Sequence, residues 1–308
     1  MSADTKKPNF LIAGVAKSGT TTLYAWLKEH PEVFMPRKET FFFMSSVYKN
    51  INKSDPEARK EEDIVYTPEQ YLSLFNAVKN EKAIGEVGTG YLYYHKIAIP
   101  MIRKVAGDIK IIIVLRNPIQ RAFSGYSHFI RNVSEPYTFE QGLEHEKERM
   151  RQNWDFMWYY KDLGFYYEQV KAFKDNFSNV KVYLFDEFKD EPALAKNMFE
   201  FLGIDSSFVP KFGKTNESGL PGNVFLQEML VKPNHPIKSL FRPLIRLVLP
   251  PERRREILLW LITKNIKKDK KLVMKPETYE ALRLIYRDDI LKLQELINKD
   301  LSHWLKQK

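Results

Sequence analysis

The sequence predicts an α/β fold in three layers, with a central parallel sheet flanked by helices on both faces. The run KIIIVL at 110–115 has branched apolar residues in unbroken order, which is typical of a central parallel strand buried on both faces. Short apolar runs alternate along the chain with segments of helical periodicity, as in successive βα units. Because loops that follow parallel strands meet at one edge of a sheet, we expect a ligand site at that edge.

Composition limits the classes of protein. Hydrophobic side chains make up 44% of the 308 residues, so the chain can bury a large core, and we predict one domain over residues 1–308. The absence of cysteine excludes disulfides, thiolate catalysis and cysteine-ligated metals. No apolar run approaches the ~18 residues of a spanning helix, and the first residues, MSADTKKPN, have no apolar signal core. We therefore expect a cytoplasmic protein.

Local signals assign the elements in chain order. An apolar strand at 10–13 leads through a small-residue turn at 14–19 into a helix that stops at His30 and Pro31. A capping box from Thr67 to Gln70 starts the next helix. Further strands are predicted within 82–91, at 110–115 and at 180–185, and further helices at 97–105, from 118, at 164–177 and at 192–202. Residues 45–66 are predicted to be exposed, and residues 136–163 to be irregular.

The turn at 14–19, GVAKSG, combines the features of an anion site. Lys17 supplies a full charge, and Ser18 to Thr22 bring hydroxyls and backbone N–H groups to the start of the following helix, where the helix dipole favours negative charge. The Walker A order G-x-x-x-x-G-K-[ST] is not met, because Lys17 precedes Gly19. The turn predicts a bound phosphate or a group of similar shape; the alternative is an ordinary βα turn rich in small residues.

A second candidate site follows the strand at 110–115. The sequence there reads RNPIQRAFSGYSH, from Arg116 to His128. With Pro118 as the first helical residue, Arg121, Ser124 and His128 share a polar face beside an apolar one. The Arg116 guanidinium offers a bidentate fork and Ser124 a short neutral donor, which together suit a second phosphate. The alternative is a surface arginine at a strand end.

Together the two motifs resemble those of sulfotransferases that use 3′-phosphoadenosine 5′-phosphosulfate (PAPS), in the bacterial and heparan-sulfate-like branch. K-S-G-T-T-T at 17–22 is similar to the 5′-phosphosulfate loop, and R-N-P-x-x-R-A-x-S-x-Y at 116–126 is similar to the 3′-phosphate motif. Further similarity at 14–43, 164–166, 216–221 and 300–305 extends the resemblance over nearly the whole chain. It implies a P-loop-like fold in three layers.

The resemblance also implies a role for each matching residue. Lys17 would contact the bridging oxygen and the sulfonate, and Arg116 and Ser124 would grip the 3′-phosphate. A loop at 216–221 would cover the cofactor. The other implied cofactor contacts are Ser18, Gly19, Thr20, Thr21 and Thr22 at the 5′-phosphate, and Asn216 and Ser218 in the covering loop.

Two residues are candidates for the base that deprotonates the acceptor. Glu86 lies in G-E-V-G-T-G-Y, which is similar to the E-K-[ST]-x-x-Y/F segment whose glutamate is catalytic in the carbohydrate branch, although Val87 replaces that segment's lysine. His128 lies one turn beyond Ser124 and matches a histidine of some heparan N-sulfotransferases, and its imidazole titrates near neutrality. We predict Glu86 as the base and His128 as a helper or orienting group; either could instead be structural.

The positive charge of the chain is concentrated in one segment. Residues 232–275 hold 13 Lys/Arg and 3 Asp/Glu, and this balance, 13 − 3 = +10, equals the net charge of the whole chain. The segment is predicted to form a helical lid, to hold an anionic acceptor or to contact a membrane surface; a lid that contributes to acceptor binding is favoured. No motif supports nucleic-acid binding. The aromatic stretch at 154–167 is expected in the core or in an acceptor pocket.

The predicted activity is in-line transfer of the sulfuryl group of PAPS to a hydroxyl or amine of a small-molecule, carbohydrate-like or lipid/acyl acceptor. We expect no metal, since the histidines show no metal-ligand spacing. The alternatives are a P-loop-type small-molecule kinase and a non-catalytic nucleotide-binding module. The second phosphate site argues against the kinase, because ATP has no 3′-phosphate.

Overall fold

The structure, a computed structural model, describes residues 6–213, 219–232, 250–267, 269–270 and 272–306. Its centre is a five-stranded parallel sheet in the order β2-β3-β1-β4-β5. The strands are β1 (Phe10–Ile12), β2 (Val33–Phe34), β3 (Ala83–Val87), β4 (Lys110–Leu115) and β5 (Val180–Leu184). The predicted fold class, a central parallel sheet flanked by helices, is confirmed.

Eleven α-helices lie in the described part of the chain. They are α1 (Thr20–Glu29), α2 (Ser45–Tyr48), α3 (Pro68–Ser73), α4 (His95–Val105), α5 (Pro118–Arg131), α6 (Phe139–Arg151), α7 (Tyr167–Asn176), α8 (Glu191–Leu202), α9 (Val224–Val231), α10 (Pro251–Asn265) and α11 (Pro276–Ile297). Two short strands, β6 (Leu220–Pro221) and β7 (Ile266–Lys267), pair antiparallel. Among the described helices, none combines the length and apolarity that crossing a bilayer requires.

The apolar residues of the central strands divide between two cores, one on each face of the sheet. Ile112 and Val114 of β4 join one core, and their neighbours Ile111 and Ile113 join the other. Such alternation follows from the strand period of two, and it requires apolar partners on both faces. α1 and α8 cover the first face, and α4, α5, α7 and α11 cover the second.

The prediction of an irregular segment at 136–163 was wrong, and the prediction of an exposed segment at 45–66 was confirmed only in part. Residues 136–163 contain α6, which begins with a capping box: Thr138 Oγ1 accepts from the backbone N–H of Gln141 at 3.3 Å, and Gln141 Oε1 accepts from that of Thr138 at 3.0 Å. A buried Arg149–Glu135 ion pair at 2.7 Å fixes this helix against the preceding loop. Residues 45–66, predicted to be exposed, contain α2 and bury Tyr48.

Helix α11, near the C-terminus, is joined to the centre of the fold. Tyr286 is buried, and its hydroxyl donates to Lys161 O at 2.7 Å. Asp289 Oδ2 accepts from the backbone N–H of Tyr166 at 2.8 Å, and the Tyr166 hydroxyl donates to Arg116 O at 3.1 Å. The helix thereby supports the chain at the carboxyl end of β4.

Candidate active site

The two predicted anion motifs meet because β1 and β4 are neighbours in the sheet. The loop that contains Lys17 leaves the carboxyl end of β1, and Arg116 follows the carboxyl end of β4. Arg116 Nη1 donates to Lys17 O at 3.1 Å. The Arg116 guanidinium also lies over the Phe185 ring, 4.5 Å from its centroid, so one arginine is held against both the loop and an aromatic face.

The loop has the backbone geometry of an anion cradle. Lys17 and Gly19 have positive φ values, 71° and 93°, and Gly19 is the N-cap of α1 without a side-chain capping hydrogen bond. A Cβ at Gly19 would lie 2.7 Å from the Phe188 ring, so glycine is required for the close approach. The buried Ser18 hydroxyl has no hydrogen-bond partner among the described residues. Uncapped N–H groups and an unpartnered hydroxyl are what a phosphate or sulfonate would satisfy.

Electrostatics at the loop also favour an anion. Burial, and then the positive charges of Arg131 and Arg116, lower the pKa of Lys17 to about 7. A bound anion would offset the repulsion among these groups and favour the charged lysine. Thr21 Oγ1 accepts from Lys38 Nζ at 2.8 Å, so a further cation is fixed at the start of α1.

Two cavities adjoin at Arg116 and Ser124. The first, about 620 Å³, surrounds Lys17 and the start of α1. The second, about 800 Å³, extends from α5 towards α11 and has a largely apolar wall. Both are lined by Arg116, Ser124, Ser127 and Gly219. The residues that line only the first include Thr20, Thr22, Lys38, Glu39, Arg59, Thr89, His128, Met157 and Arg131, and those that line only the second include Phe123, Leu272, Val273, Met274 and Tyr279.

Glu86, the base predicted from the sequence, is buried behind the cavities and lines neither of them. Its Oε1 accepts from the hydroxyls of Tyr91 at 2.8 Å and Tyr71 at 3.1 Å. Burial raises the pKa of Glu86 to about 7, against the lowering effect of these hydrogen bonds. The structure therefore places this carboxyl group in a tyrosine cluster rather than beside Lys17.

Glu39 is one of two carboxylates that line the Lys17 cavity, the other being Glu191, and the sequence motifs assign it no role. Its Oε1 accepts from Thr89 Oγ1 at 3.3 Å and lies 3.4 Å from Lys38 Nζ, while its Oε2 lies 3.8 Å from Arg59 Nη1. The signal that could have identified it is positional: Glu39 follows β2, so it lies at the same sheet edge as the loops after β1 and β4.

His128 lines the Lys17 cavity beside Arg131. Its Nδ1 lies 3.0 Å from Arg131 Nη2. Because a guanidinium only donates, Nδ1 accepts, and the proton of the neutral imidazole is on Nε2. Burial and the charges of Lys17 and Arg131 hold the pKa of His128 well below its usual range. The arrangement favours a hydrogen-bond donor towards the cavity over a base.

The remaining sequence-predicted residues have different outcomes. Thr20, Thr21 and Thr22 line the Lys17 cavity, whereas Asn216 and Ser218 lie outside the described residues. Of the basic segment 232–275, residues 233–249, 268 and 271 also lie outside them, while Lys270 lines the second cavity. The aromatic stretch is mainly core, since Phe156, Trp158, Tyr160 and Tyr166 are buried. The described residues contain no group of three side chains arranged to hold a metal.

Comparison with known proteins agrees with this geometry. A crystal structure of a sulfotransferase from Alicyclobacillus acidocaldarius is 29% identical in sequence, covers 98% of this chain and 100% of its own, and superimposes with a TM-score of 0.75. The membrane-associated sulfotransferase kil1 of Dictyostelium discoideum is 33% identical over 147 residues, which is 46% of this chain. That match spans only 28% of the length of the Dictyostelium protein.

A family model described as "Sulfotransferase family" matches residues 8–207. This range includes the Lys17 loop, Glu39 and the Arg116–Ser124 motif, and it is well over half of the chain. The chain belongs to the sulfotransferase family.

Proposed function

We propose that this protein transfers the sulfuryl group of PAPS to a hydroxyl or amine of a small-molecule, carbohydrate-like or lipid/acyl acceptor. The observation that carries the proposal is that the Lys17 loop meets Arg116 and Ser124 where two cavities adjoin. A nucleotide with phosphates at both its 5′ and 3′ positions needs two anion sites, and the cofactor supplies an activated sulfuryl group. The membership of the family supports a transferase of this kind.

The Lys17 loop suits the 5′ end of the cofactor. The start of α1, which has no side-chain cap, and the unpartnered Ser18 hydroxyl offer donors to a 5′-phosphate. Lys17 would neutralise the charge that develops on the bridging oxygen when the sulfuryl group leaves. Because Lys38 is fixed beside Thr21, a second cation is available to the sulfonate oxygens.

Arg116 and Ser124 suit the 3′-phosphate. Arg116 Nε is buried without a hydrogen-bond partner among the described residues, and the guanidinium is already oriented by Lys17 O and Phe185. The adjoining apolar wall, which includes Phe123 and Leu272, would hold the nucleoside.

Glu39 is a better candidate for the base than Glu86, because Glu39 lines the same cavity as Lys17 and Glu86 does not. In the proposed reaction, the acceptor oxygen or nitrogen attacks sulfur, the bond to the bridging oxygen breaks, and the acceptor proton passes to Glu39. Arg59 and Thr89 hold this carboxylate in place. His128 would orient the acceptor through Nε2–H. The catalytic role first assigned to Glu86 stays a prediction, and a pair of variants tests it below.

A thermal-shift experiment tests the cofactor assignment. The protein is melted with 3′-phosphoadenosine 5′-phosphate and with ADP, each in large excess. A ligand at 100 times its dissociation constant stabilises the folded state by about 2.7 kcal/mol, so we expect a clear shift with the 3′-phosphorylated nucleotide and a smaller one with ADP. An equally large shift with ADP would contradict the assignment of a 3′-phosphate site and would favour a kinase.

Ser124→Ala provides the matched test of the 3′-phosphate site. Loss of a hydrogen bond to a charged group should weaken binding of 3′-phosphoadenosine 5′-phosphate by roughly 1–3 kcal/mol. Ser127→Ala is the control, because the Ser127 hydroxyl lines the same cavities but already donates to Phe123 O at 2.7 Å. Equal affinities of wild type and Ser124→Ala in a calorimetric titration would contradict the assignment.

A further inference from the structure

Helices α9 and α10 expose a set of large apolar and basic side chains, of which Arg253, Ile257, Trp260 and Lys264 follow one face of α10 at helical spacing. We call it the α9–α10 surface; its apolar members are Val224, Phe225, Ile257, Leu259 and Trp260, and its basic members are Arg253, Lys264 and Lys267. The side chains of Phe225, Leu259 and Trp260 are each more than half exposed, at 59%, 54% and 57%. Clustered exposure of this kind marks an interaction site more often than isolated exposed residues do.

The two helices are joined by a buried polar contact, so the surface is a built feature. Asn265, at the end of α10, donates through Nδ2 to Asn223 O at 2.8 Å and to Gln227 Oε1 at 3.0 Å. Its Oδ1 accepts from the backbone N–H of Asn223 at 3.1 Å. Asn265 and Gln227 are both buried. This contact holds the exposed pair Val224 and Phe225 near the end of α10 that carries Lys264.

The charge of this region determines which partner fits it. Residues 250–275 contain 9 Lys/Arg and 3 Asp/Glu, a balance of 9 − 3 = +6. Lys264 Nζ lies 5.5 Å from the Trp260 ring centroid, which places a cation directly beside the most amphipathic side chain. A second copy of the chain would bring the same positive charge to the contact, and like charges would oppose it. The complement of the surface is therefore both apolar and negatively charged.

We propose that the α9–α10 surface docks this protein onto an anionic phospholipid bilayer. Trp260, Leu259 and Phe225 enter the interface between headgroups and acyl chains, where aromatic side chains are favoured. Arg253, Lys264 and Lys267 remain at the level of the phosphates. The contact is peripheral, because α10 has only 15 residues and basic residues flank its apolar run at both ends. It is independent of the proposed transfer reaction.

The surface adjoins the second cavity of the candidate active site. β7, which contains Lys267, pairs with β6, and Leu220 of β6 lines that cavity together with Lys270. Docking would therefore bring the edge of this cavity close to the membrane surface. Binding to the membrane can be measured without acceptor or cofactor.

Tryptophan fluorescence of the full chain tests the proposal directly. Trp26, Trp158 and Trp304 are buried and Trp154 is partly buried, so Trp260 is the strongly exposed member of the five tryptophans. We expect a blue shift of emission with vesicles that contain phosphatidylglycerol, and none with vesicles of phosphatidylcholine alone. Trp260→Phe should remove the shift yet retain cosedimentation with the anionic vesicles. Absence of both the shift and cosedimentation in the wild type would overturn the proposal.

Variants separate the surface from general stickiness. Leu259→Ser should reduce cosedimentation, while Leu284→Ser, at a comparably exposed leucine of α11, should not. Lys264→Glu should weaken binding at least fivefold, since each basic residue near an anionic surface contributes about a factor of five, and Lys96→Glu on α4 is its control. Thermal melts confirm that each variant is folded. Equal losses of vesicle binding in variants and controls would contradict the docking proposal. A wild-type dimer that dissociates in Leu259→Ser would also contradict it, because the surface would then bind a second copy of the chain.

Discussion

Lys17 lies among four other cationic groups, and burial together with their charges lowers its pKa to about 7. Below that pH the lysine of the free protein is charged, and above it the neutral form dominates. A bound phosphate or sulfate favours the charged form and raises the pKa again. Anion binding at pH 8 should therefore take up a proton, and well below pH 7 it should not.

The resulting prediction concerns pH and nucleotide affinity. Binding of 3′-phosphoadenosine 5′-phosphate should weaken as the pH rises from about 7 to 9, by up to about tenfold per unit, because each protonation difference is worth about 1.4 kcal/mol per pH unit. Lys17→Arg should bind with little pH dependence, since the guanidinium stays charged. Calorimetry in buffers of different ionisation enthalpy measures the proton uptake. Affinity of the wild type that stays constant across this range would contradict the shift.

Glu39 and Glu86 form a matched pair for the catalytic base. Glu39→Gln should lower the turnover number by about 10²–10⁴-fold, the usual contribution of a general base, and should leave nucleotide affinity nearly unchanged. Glu86→Gln keeps an oxygen that can accept from Tyr91 and Tyr71, so its turnover should stay within a few-fold of the wild type. The opposite result, in proteins that both bind nucleotide, would restore the assignment made from the sequence.

The positions of the candidate residues were predictable where the motif is local. The Lys17 loop and Arg116 with Ser124 each lie within one strand–turn–helix unit, so the chain itself shows which groups meet. Glu39 lies close to Lys17 only because the edge strand β2 pairs with β3 and β3 pairs with β1. The spacing of residues along the sequence does not indicate this order of strands in the sheet. The surroundings of Glu86 were not predictable for a similar reason. Tyr71, which donates to Glu86, lies on α3, and the strand pattern does not show that α3 approaches β3.

At the scale of elements, the turn between β1 and α1 depends on Gly19. Gly19 has φ +93°, and a Cβ there would lie 2.7 Å from the Phe188 ring. Gly107 has a similar φ of +85°, but a Cβ at that position would meet nothing within 4 Å. The two glycines therefore share the conformational requirement and differ in the space around them.

Gly19→Ala should consequently reduce both stability and nucleotide affinity, whereas Gly107→Ala should reduce stability alone. Each should lower the free energy of unfolding by about 1–2 kcal/mol, the cost of a left-handed conformation with a side chain. Only Gly19→Ala should also lose affinity for 3′-phosphoadenosine 5′-phosphate, because the displaced Phe188 and the start of α1 are part of the cradle. Urea unfolding and calorimetric titration measure the two effects. Nucleotide binding by Gly19→Ala that equals the control would show that the cradle tolerates the shift.

The elements themselves were predictable where one local signal dominates. β4 has the bounds predicted from its apolar run, and α3 begins at the predicted capping box, with Thr67 as its N-cap. Helix α6 was missed although Thr138 and Gln141 form the same kind of box. Its sequence, FEQGLEHEKERMR, has few apolar residues. The buried Arg149–Glu135 pair that joins it to the preceding loop is a tertiary contact that periodicity does not reveal.

At the scale of the whole molecule, the C-terminal residues support the loops of the candidate active site although the family match ends at residue 207. Asn117, the N-cap of α5 directly after Arg116, donates through Nδ2 to Trp304 O at 3.2 Å. Trp304 is buried, and its Nε1 donates to Asp186 Oδ2 at 3.2 Å. The chain end is thereby attached to the loops after both β4 and β5.

Trp304→Ala should therefore destabilise the whole fold. Truncation of a buried tryptophan leaves a cavity and costs about 3–5 kcal/mol, and here it also removes the hydrogen bond to Asp186. His303→Ala is the matched control: His303 pairs with the same carboxylate, 2.9 Å away, but both side chains are about two-fifths exposed, so the loss should stay under about 1 kcal/mol. Urea unfolding of both variants measures the difference. If the two variants lose the same free energy of unfolding, the C-terminal segment would be an appendage whose removal leaves the sheet and the candidate active site intact. A large loss in Trp304→Ala alone, with weaker binding of 3′-phosphoadenosine 5′-phosphate, would show that residues 301–306 are part of one cooperative structure with β4 and α5.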